Sequence, residues 1–430
     1  MTKLLRYDGR HVHETEFDVV IIGGRVAGAG LAILLGRQGR RVLLVDRDRF
    51  PSDTLSTHYL HPSGVELLAR LGVLADVEAA GFRRITRQRT YVGDVIVEGA
   101  VRAPGAYALC PRRSRLDMTL IEHAMKQASV TVWQSTRAEG LIWEDGRVAG
   151  VHLRKASGRR VSVCARVVVG ADGKNSSVAG WVDAQRYDEV PALRPIYYAY
   201  YRDVEPLPEA TGEVFYIDDR IGYIMPMEPG IDCLVLELQT RDFDAFRADP
   251  GGRFDVAFRA LPGMARRMGR AERQGPVYGT RGVENYLRVP YGPGWALTGD
   301  AAYCKDPSTG TGIEDALRGG FLLADALGDV LDGADWEATM AGFHRLRDDI
   351  FRSAYRGTLA HSRAPEIPAA SLAWLEGVAA TPGFVRALAM NFPAIARSPD
   401  VFPGGLLAAI ERSARLFGAA AEDDEAQKSA

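Results

Sequence analysis

FDVVIIGGRVAG at residues 17–28 is the stretch that decides the fold. Residues 19–22 form a short apolar run, as a strand buried on both faces requires. Gly23 suits a tight turn with positive φ, and Gly28 lets a following helix pack close to the sheet. That helix, expected over residues 27–38, aims free N–H groups and the positive end of its dipole at a pyrophosphate. The next strand, RVLLVD, ends in Asp46, the usual distance on for an acid that accepts from a ribose 2′-hydroxyl. Strand, glycine turn, helix, strand and acid together predict a dinucleotide-binding unit. Arg25 stands where such fingerprints carry their second glycine. Gly24 is expected to supply the flexible turn instead, with Arg25 lying along the pyrophosphate as a counter-ion and Arg47 nearby.

Two further motifs follow. VVVGADGKNSSVAG (residues 167–180) runs an apolar strand into a Gly-Ala-Asp-Gly turn. GWALTGDAAYCKDPSTGTGIEDALRGG (residues 294–320) ends a short strand in Gly299-Asp300, then passes through Pro307 to a helix opened by Gly310 and Gly312. In order and spacing, over about the first 330 residues, the three motifs resemble the FAD-dependent monooxygenase superfamily of the para-hydroxybenzoate hydroxylase type. That superfamily includes a geranylgeranyl reductase-like branch.

The resemblance implies roles for individual residues. Gly23, Gly28 and Asp46 would hold the ADP half of FAD, and Arg113, in RRSRLD, would reach the pyrophosphate. Asp172 would orient FAD and a reduced nicotinamide, and Asp300 would bind the ribityl chain. Pro307, Gly310, Thr311, Gly312 and Ile313 would face the flavin, the helix N-terminus meeting its N1–C2=O edge, where reduced flavin is negative. The chain departs from the pattern at several places. Ala179 replaces a basic residue after the Asp-Gly motif, Tyr303, Cys304 and Lys305 follow Gly-Asp-Ala-Ala, and Glu314 stands where hydroxylases often carry Asn. The DPSTGTGI loop is similar to that of the reductase branch.

The implied activity is oxygen transfer from a flavin C4a-hydroperoxide, hydroxylating or epoxidising an aromatic or polyketide-like small molecule. The alternative is a reductase acting on an isoprenoid or other C=C bond. A flavin-dependent halogenase fits less well, because no WxWxIP segment occurs and no lysine follows the first unit until Lys126. A non-catalytic flavin-binding scaffold is the remaining alternative. With a single dinucleotide fingerprint, NAD(P)H is expected as a transient reductant, or a separate flavin reductase as a partner.

The segments interleave. The expected fold class is α/β: a Rossmann-like FAD-binding domain (17–83, 104–182 and 292–331) interleaved with an antiparallel-sheet substrate domain (84–103 and 183–291), plus C-terminal helices (332–420) and a disordered tail (421–430). IYYAYYR, TGEVFYI and IDCLVLE have the aromatic and β-branched enrichment of strands. In IYYAYYR the period of two places Tyr198 and Tyr200 on one face and Tyr197 and Tyr201 on the other. One of these pairs is expected to bound a planar substrate. In PSDTLSTHYLHPSG (residues 51–64), His58 and His61 are the available acid–base groups, expected to titrate near neutrality. His61, before Pro62, alternatively caps the next helix.

With 430 residues, 47% hydrophobic and 25% charged, the chain has ordinary globular usage for more than one core. A net charge of −2 gives no reason to expect nucleic acid or an anionic membrane. The basic clusters at 83–89 and 266–273 read as solvated faces, and the one at 112–115 as part of the FAD site. Four scattered cysteines without paired spacing predict no metal and a reducing cytoplasm. No apolar run is long enough to span a bilayer. A monomer or homodimer is expected.

Overall fold

The computed structural model describes residues 6–7, 10–11, 16–56, 58–93, 95–101, 105–217 and 219–363. The part of the expected C-terminal helical region beyond residue 363 and the tail at 421–430 lie outside the described residues.

The first unit is β1 (Glu16–Ile22), α1 (Val26–Arg37) and β2 (Val42–Val45). After α2 (Pro62–Arg70) the chain forms β3 (Arg87–Val92) and β4 (Val95–Ala100). It returns through α3 (Arg113–Met125) and β5 (Val130–Trp133). A meander follows, of β6 (Thr136–Glu144), β7 (Arg147–Lys155) and β8 (Arg160–Gly170). Next come β9 (Ile196–Arg202), β10 (Thr211–Ile217), β11 (Arg220–Pro226) and β12 (Ile231–Glu237). The short β13 (Trp295–Leu297) leads to α4 (Gly312–Leu331) and α5 (Trp336–Ser362).

Strands β13, β8, β1, β2 and β5 lie side by side in parallel, with Val168 opposite Trp295, Val167 opposite Val19, Val19 opposite Val42 and Val42 opposite Val130. Both faces are covered, which explains the unbroken apolar run. Val19 and Ile21 pack with Leu31 and Leu35 of α1, Leu120 of α3 and Leu317 of α4. Val20 and Ile22 pack with Val148, Val151 and Leu297 on the meander side.

The second sheet runs β9-β12-β11-β10-β3-β4. It is antiparallel except at one join, where β10 pairs β3 in parallel with Thr211 opposite Arg87. Strands β3 and β4 thus share one sheet with β9–β12, and its single parallel pair was not legible from the strand patterns. Tyr197, Ala199 and Tyr201 face a cluster with Phe215, Leu234, Phe246, Phe254 and Phe258. Tyr198 and Tyr200 therefore point the other way, toward His58.

The basic clusters are largely neutralised. Arg83 pairs with Asp232, Arg87 and Arg89 with Glu98, Arg266 with Glu205 and Arg267 with Glu213. Among the described residues no helix is long and apolar enough to cross a membrane.

Candidate active site

A cavity of about 1770 Å³ lies between the two sheets. Its walls include Gly23, Arg25, Asp46, Arg47, Arg113, Asp172, Asp300, Pro307, Gly310, Gly312, Ile313 and Tyr198. Gly28, Thr311, Tyr200, His58 and His61 stand behind that surface.

Gly23 has φ +108°, and a Cβ there would lie 2.3 Å from the Ala171 carbonyl oxygen. The left-handed turn is made by Gly23; Gly24, expected to take over, instead donates its N–H to Asp46 Oδ2 at 2.6 Å. A Cβ on Gly28 would lie 1.8 Å from the Gly23 carbonyl oxygen, so α1 rests directly on the turn. Asp46 Oδ1 accepts the Asp48 N–H at 2.7 Å. Burial raises its carboxyl above the ordinary value, against the pull of those two N–H groups.

Arg25 does not project freely along the cavity. Its guanidinium donates to Asp117 Oδ2 at 2.7 Å, Asp48 Oδ2 at 2.9 Å and Ser52 Oγ at 3.0 Å. Asp117, fully buried, also takes both prongs of Arg113, at 3.0 and 3.1 Å. Arg112 stacks over Tyr200 at 4.3 Å and pairs with Asp53 at 3.0 Å. The 112–115 cluster thus has protein partners of its own. Asp117 was missed, although its spacing of four from Arg113 on a helix marks a pair.

Asp172 uses both oxygens locally: Oδ1 accepts from Ser176 at 2.6 Å and Oδ2 from the Ser177 N–H at 2.7 Å. Those bonds fix the start of the short helix Ser177–Trp181. Asp300 follows Gly299, which turns at φ +61°, and its side chain opens into the cavity. Asp306 caps the turn Pro307–Thr309 through Ser308, and Gly310 closes it at φ +62°.

Helices α1 and α4 both begin on this cavity, and neither has a side-chain cap: Arg25 and Thr311 hold the N-cap positions without capping bonds. Their first N–H groups are therefore donors aimed at the cavity. Two uncapped N-termini, with a Gly23 turn that tolerates no side chain, fit a pyrophosphate at one and the electron-rich edge of a flavin at the other.

His58 is fully buried at φ 62°, and its Nε2 lies 2.7 Å from the Tyr200 hydroxyl. Tyr198 meets the His58 ring edge-on at 5.7 Å and stacks on Tyr278 at 5.2 Å. The expectation that His58 titrates near neutrality is corrected. Burial, followed by the charge of Arg113, pushes it down to about 3, so the ring is neutral at working pH. Protonating it at pH 7 would cost roughly 5 kcal/mol, too much for a resting base. Nε2 shares a hydrogen bond with the Tyr200 hydroxyl, whereas Nδ1 makes no bond of ordinary geometry. His61 is the N-cap residue of α2, but its side chain does not cap: Nε2 lies 2.9 Å from the Thr309 carbonyl oxygen and ties α2 to the Pro307–Thr309 turn.

A pH prediction follows from the histidines. Unfolded His58 protonates near 6.5, so its stabilising contribution is complete above that pH and is lost as pH falls toward 3. His361, buried and pushed down to about 4, acts with the same sign. Asp232, raised by burial to about 6, opposes them. Urea midpoints measured from pH 7 to 4 should fall less steeply for His58→Asn than for the parent. Parallel profiles would show that His58 is not buried as a neutral ring.

Comparison with known proteins agrees with this geometry. Residues 16–198 match the FAD binding domain family model. A 1H-pyrrole-2-carbonyl-[peptidyl-carrier protein] brominase of Pseudoalteromonas luteoviolacea is 25% identical, over 77% of this chain and 81% of that protein. A digeranylgeranylglycerophospholipid reductase of Methanosarcina acetivorans is 26% identical, over 80% of this chain and 82% of the reductase. A 6-methylpretetramide 4-monooxygenase of Streptomyces rimosus reaches 37%, over 40% of each chain. Among solved structures, a flavin-dependent brominase superposes with a TM-score of 0.76 at 22% identity, covering 94% of this chain and 99% of the other, and so shares the fold. With an FAD binding domain matched over residues 16–198 and flavoenzyme relatives aligned over about four-fifths of its length, the similarities of the chain support the FAD-dependent monooxygenase superfamily.

Proposed function

We propose that the chain is a monooxygenase that hydroxylates or epoxidises an electron-rich aromatic or polyketide-like small molecule. The observation that carries this reading is the aromatic wall of the cavity. Tyr198 presents its ring to the cavity, stacked on Tyr278 and buttressed by Tyr200 and the neutral His58. Such a wall suits a flat, hydroxylated ring better than a flexible chain. FAD, when bound, supplies the two-electron and oxygen chemistry, with NAD(P)H or a separate flavin reductase as the electron source.

The residues divide the work. The Gly23 turn and the α1 N–H groups would bind the pyrophosphate of FAD, and Asp46 and Arg47 would hold its adenosine half. Asp300 would bind the polyol, and the α4 N–H groups of Gly312 and Ile313 would favour negative charge on the ring system. His58 acts as a hydrogen-bond partner that fixes the Tyr200 hydroxyl, and Tyr200 in turn fixes Tyr198. A reduction of C=C bonds is the second reading, supported by the reductase relatives that align over four-fifths of the chain.

The mass of the product separates the possibilities. Anaerobically reduced holoprotein is mixed, in parallel, with anaerobic and with oxygenated buffer containing bromide and a panel of hydroxylated aromatics and isoprenoids. A gain of one oxygen atom, with reoxidation accelerated by the accepted substrate, is the expected result. A gain of two hydrogens under anaerobic conditions would replace the reading with a reductase, and bromine in the product with a halogenase.

A further inference from the structure

Lys305 is a charged side chain without a part in the account above. Its side chain is 5% exposed, yet it lines the same cavity as Asp300 and Gly312. The ammonium is ion-paired with Asp315 and donates to the Tyr303 hydroxyl at 3.0 Å. Asp315 lies in the first turn of α4 and also accepts from Thr311, the N-cap residue, at 3.3 Å. The ion pair holds both charged groups in a wall with little water around it. The pair thus sets one positive and one negative group beside the uncapped N-terminus of α4, which would face the flavin.

We propose that Lys305 and Asp315 form an opposed charge pair that sets the reduction potential of bound FAD: Lys305 favours the reduced cofactor and Asp315 restrains it. The proposal rests on the FAD site described above. Adding two electrons and one proton to oxidised flavin leaves one negative charge on the ring system. A cation held in the poorly hydrated wall favours that charge, and a carboxylate opposes it. Because each partner partly cancels the other in the parent, removing either one uncovers the field of the other. The two single substitutions therefore move the potential in opposite directions, which a merely structural pair would not do.

The experiment is a reductive titration of the FAD-loaded protein against reference dyes, with xanthine and xanthine oxidase as the electron source and FAD occupancy read from absorbance. Lys305→Met should shift the reduced-to-oxidised ratio at least tenfold toward oxidised, about 30 mV downward for a two-electron couple. Asp315→Asn should shift it upward by a similar factor, and the double variant should fall between the two. Lys305→Arg, which keeps the charge, should stay near the parent and guards against a Met variant that fails to fold. Fully loaded single variants with unchanged potentials, or with shifts in the same direction, would overturn the proposal. A parent that binds no FAD would overturn the site itself, and the occupancy measurement distinguishes that outcome.

Discussion

Gly28→Val is expected to yield protein that no longer retains FAD. The first atom beyond Cα would meet the Gly23 carbonyl oxygen at 1.8 Å, far inside contact distance, and the obstacle is backbone. Relief requires α1 to lift from the turn or Gly23 to move, and Gly23 is itself held between α1 and the Ala171 carbonyl. Overpacking a core typically costs about 1–3 kcal/mol when side chains can shift; a clash of main chain with a new side chain belongs at or above the upper end. Either movement also misdirects the N–H groups aimed at the pyrophosphate. The check is the ratio of flavin to protein absorbance after gel filtration, with circular dichroism to confirm folding. Gly342→Ala is the control. It lies inside α5, where a Cβ meets nothing within 4 Å, and should stabilise slightly while leaving the flavin ratio unchanged. A Gly28→Val protein that keeps its flavin would refute the close approach of helix and turn.

Arg267→Met is expected to destabilise the second sheet by about 3–5 kcal/mol, the range for stripping one partner from a buried ion pair. Arg267 is 7% exposed and Glu213 1% exposed, with 2.8 Å between them. Glu213 also accepts from the Tyr91 hydroxyl at 2.9 Å, and Arg267 Nε donates to the Glu205 carbonyl at 2.9 Å. Without the guanidinium, Glu213 must keep a charge in a dry site or take up a proton. Arg267→Met combined with Glu213→Gln should recover most of the loss, because no unpaired charge then remains. Urea unfolding followed by tyrosine and tryptophan fluorescence gives both values. A loss below about 1 kcal/mol for the single change would mean that the pair is hydrated.

The parallel sheet was legible because it leaves local marks: an apolar run for a strand covered twice, glycines where helix and turn touch, an acid at the end of the second strand. Each is a property of a few adjacent residues. The strands of the second sheet were legible too, and so was the division of the tyrosines into two faces, since alternation fixes it. Which face meets the cavity depends on the packing of Phe246, Phe254 and Phe258 behind Tyr197 and Tyr201, and no local pattern carries that. Arg25 shows the same limit. Its position in the fingerprint suggested a phosphate ligand, whereas Asp117, 92 residues further on, takes its charge. His58 was found by its place in a polar loop, but its ionisation depends on burial that only the assembled walls create. Lys305 was visible as a departure from the family pattern, and its meaning waited on Asp315, ten residues on, turning back to meet it.

The one parallel join in the second sheet, β3 beside β10, sets an order on synthesis. Strand β3 leaves the ribosome about 120 residues before β10, several seconds or more at ordinary elongation rates. Until β10 arrives, the β3–β4 hairpin has an open edge at Arg87–Val92. Bare strand edges recruit other chains, and charged side chains along them discourage it. The Arg87, Arg89 and Glu98 cluster places charge on this hairpin, the kind of side chain that discourages edge pairing in a nascent chain. Replacing it with apolar residues would be felt first as aggregation during translation, before any loss in the finished enzyme.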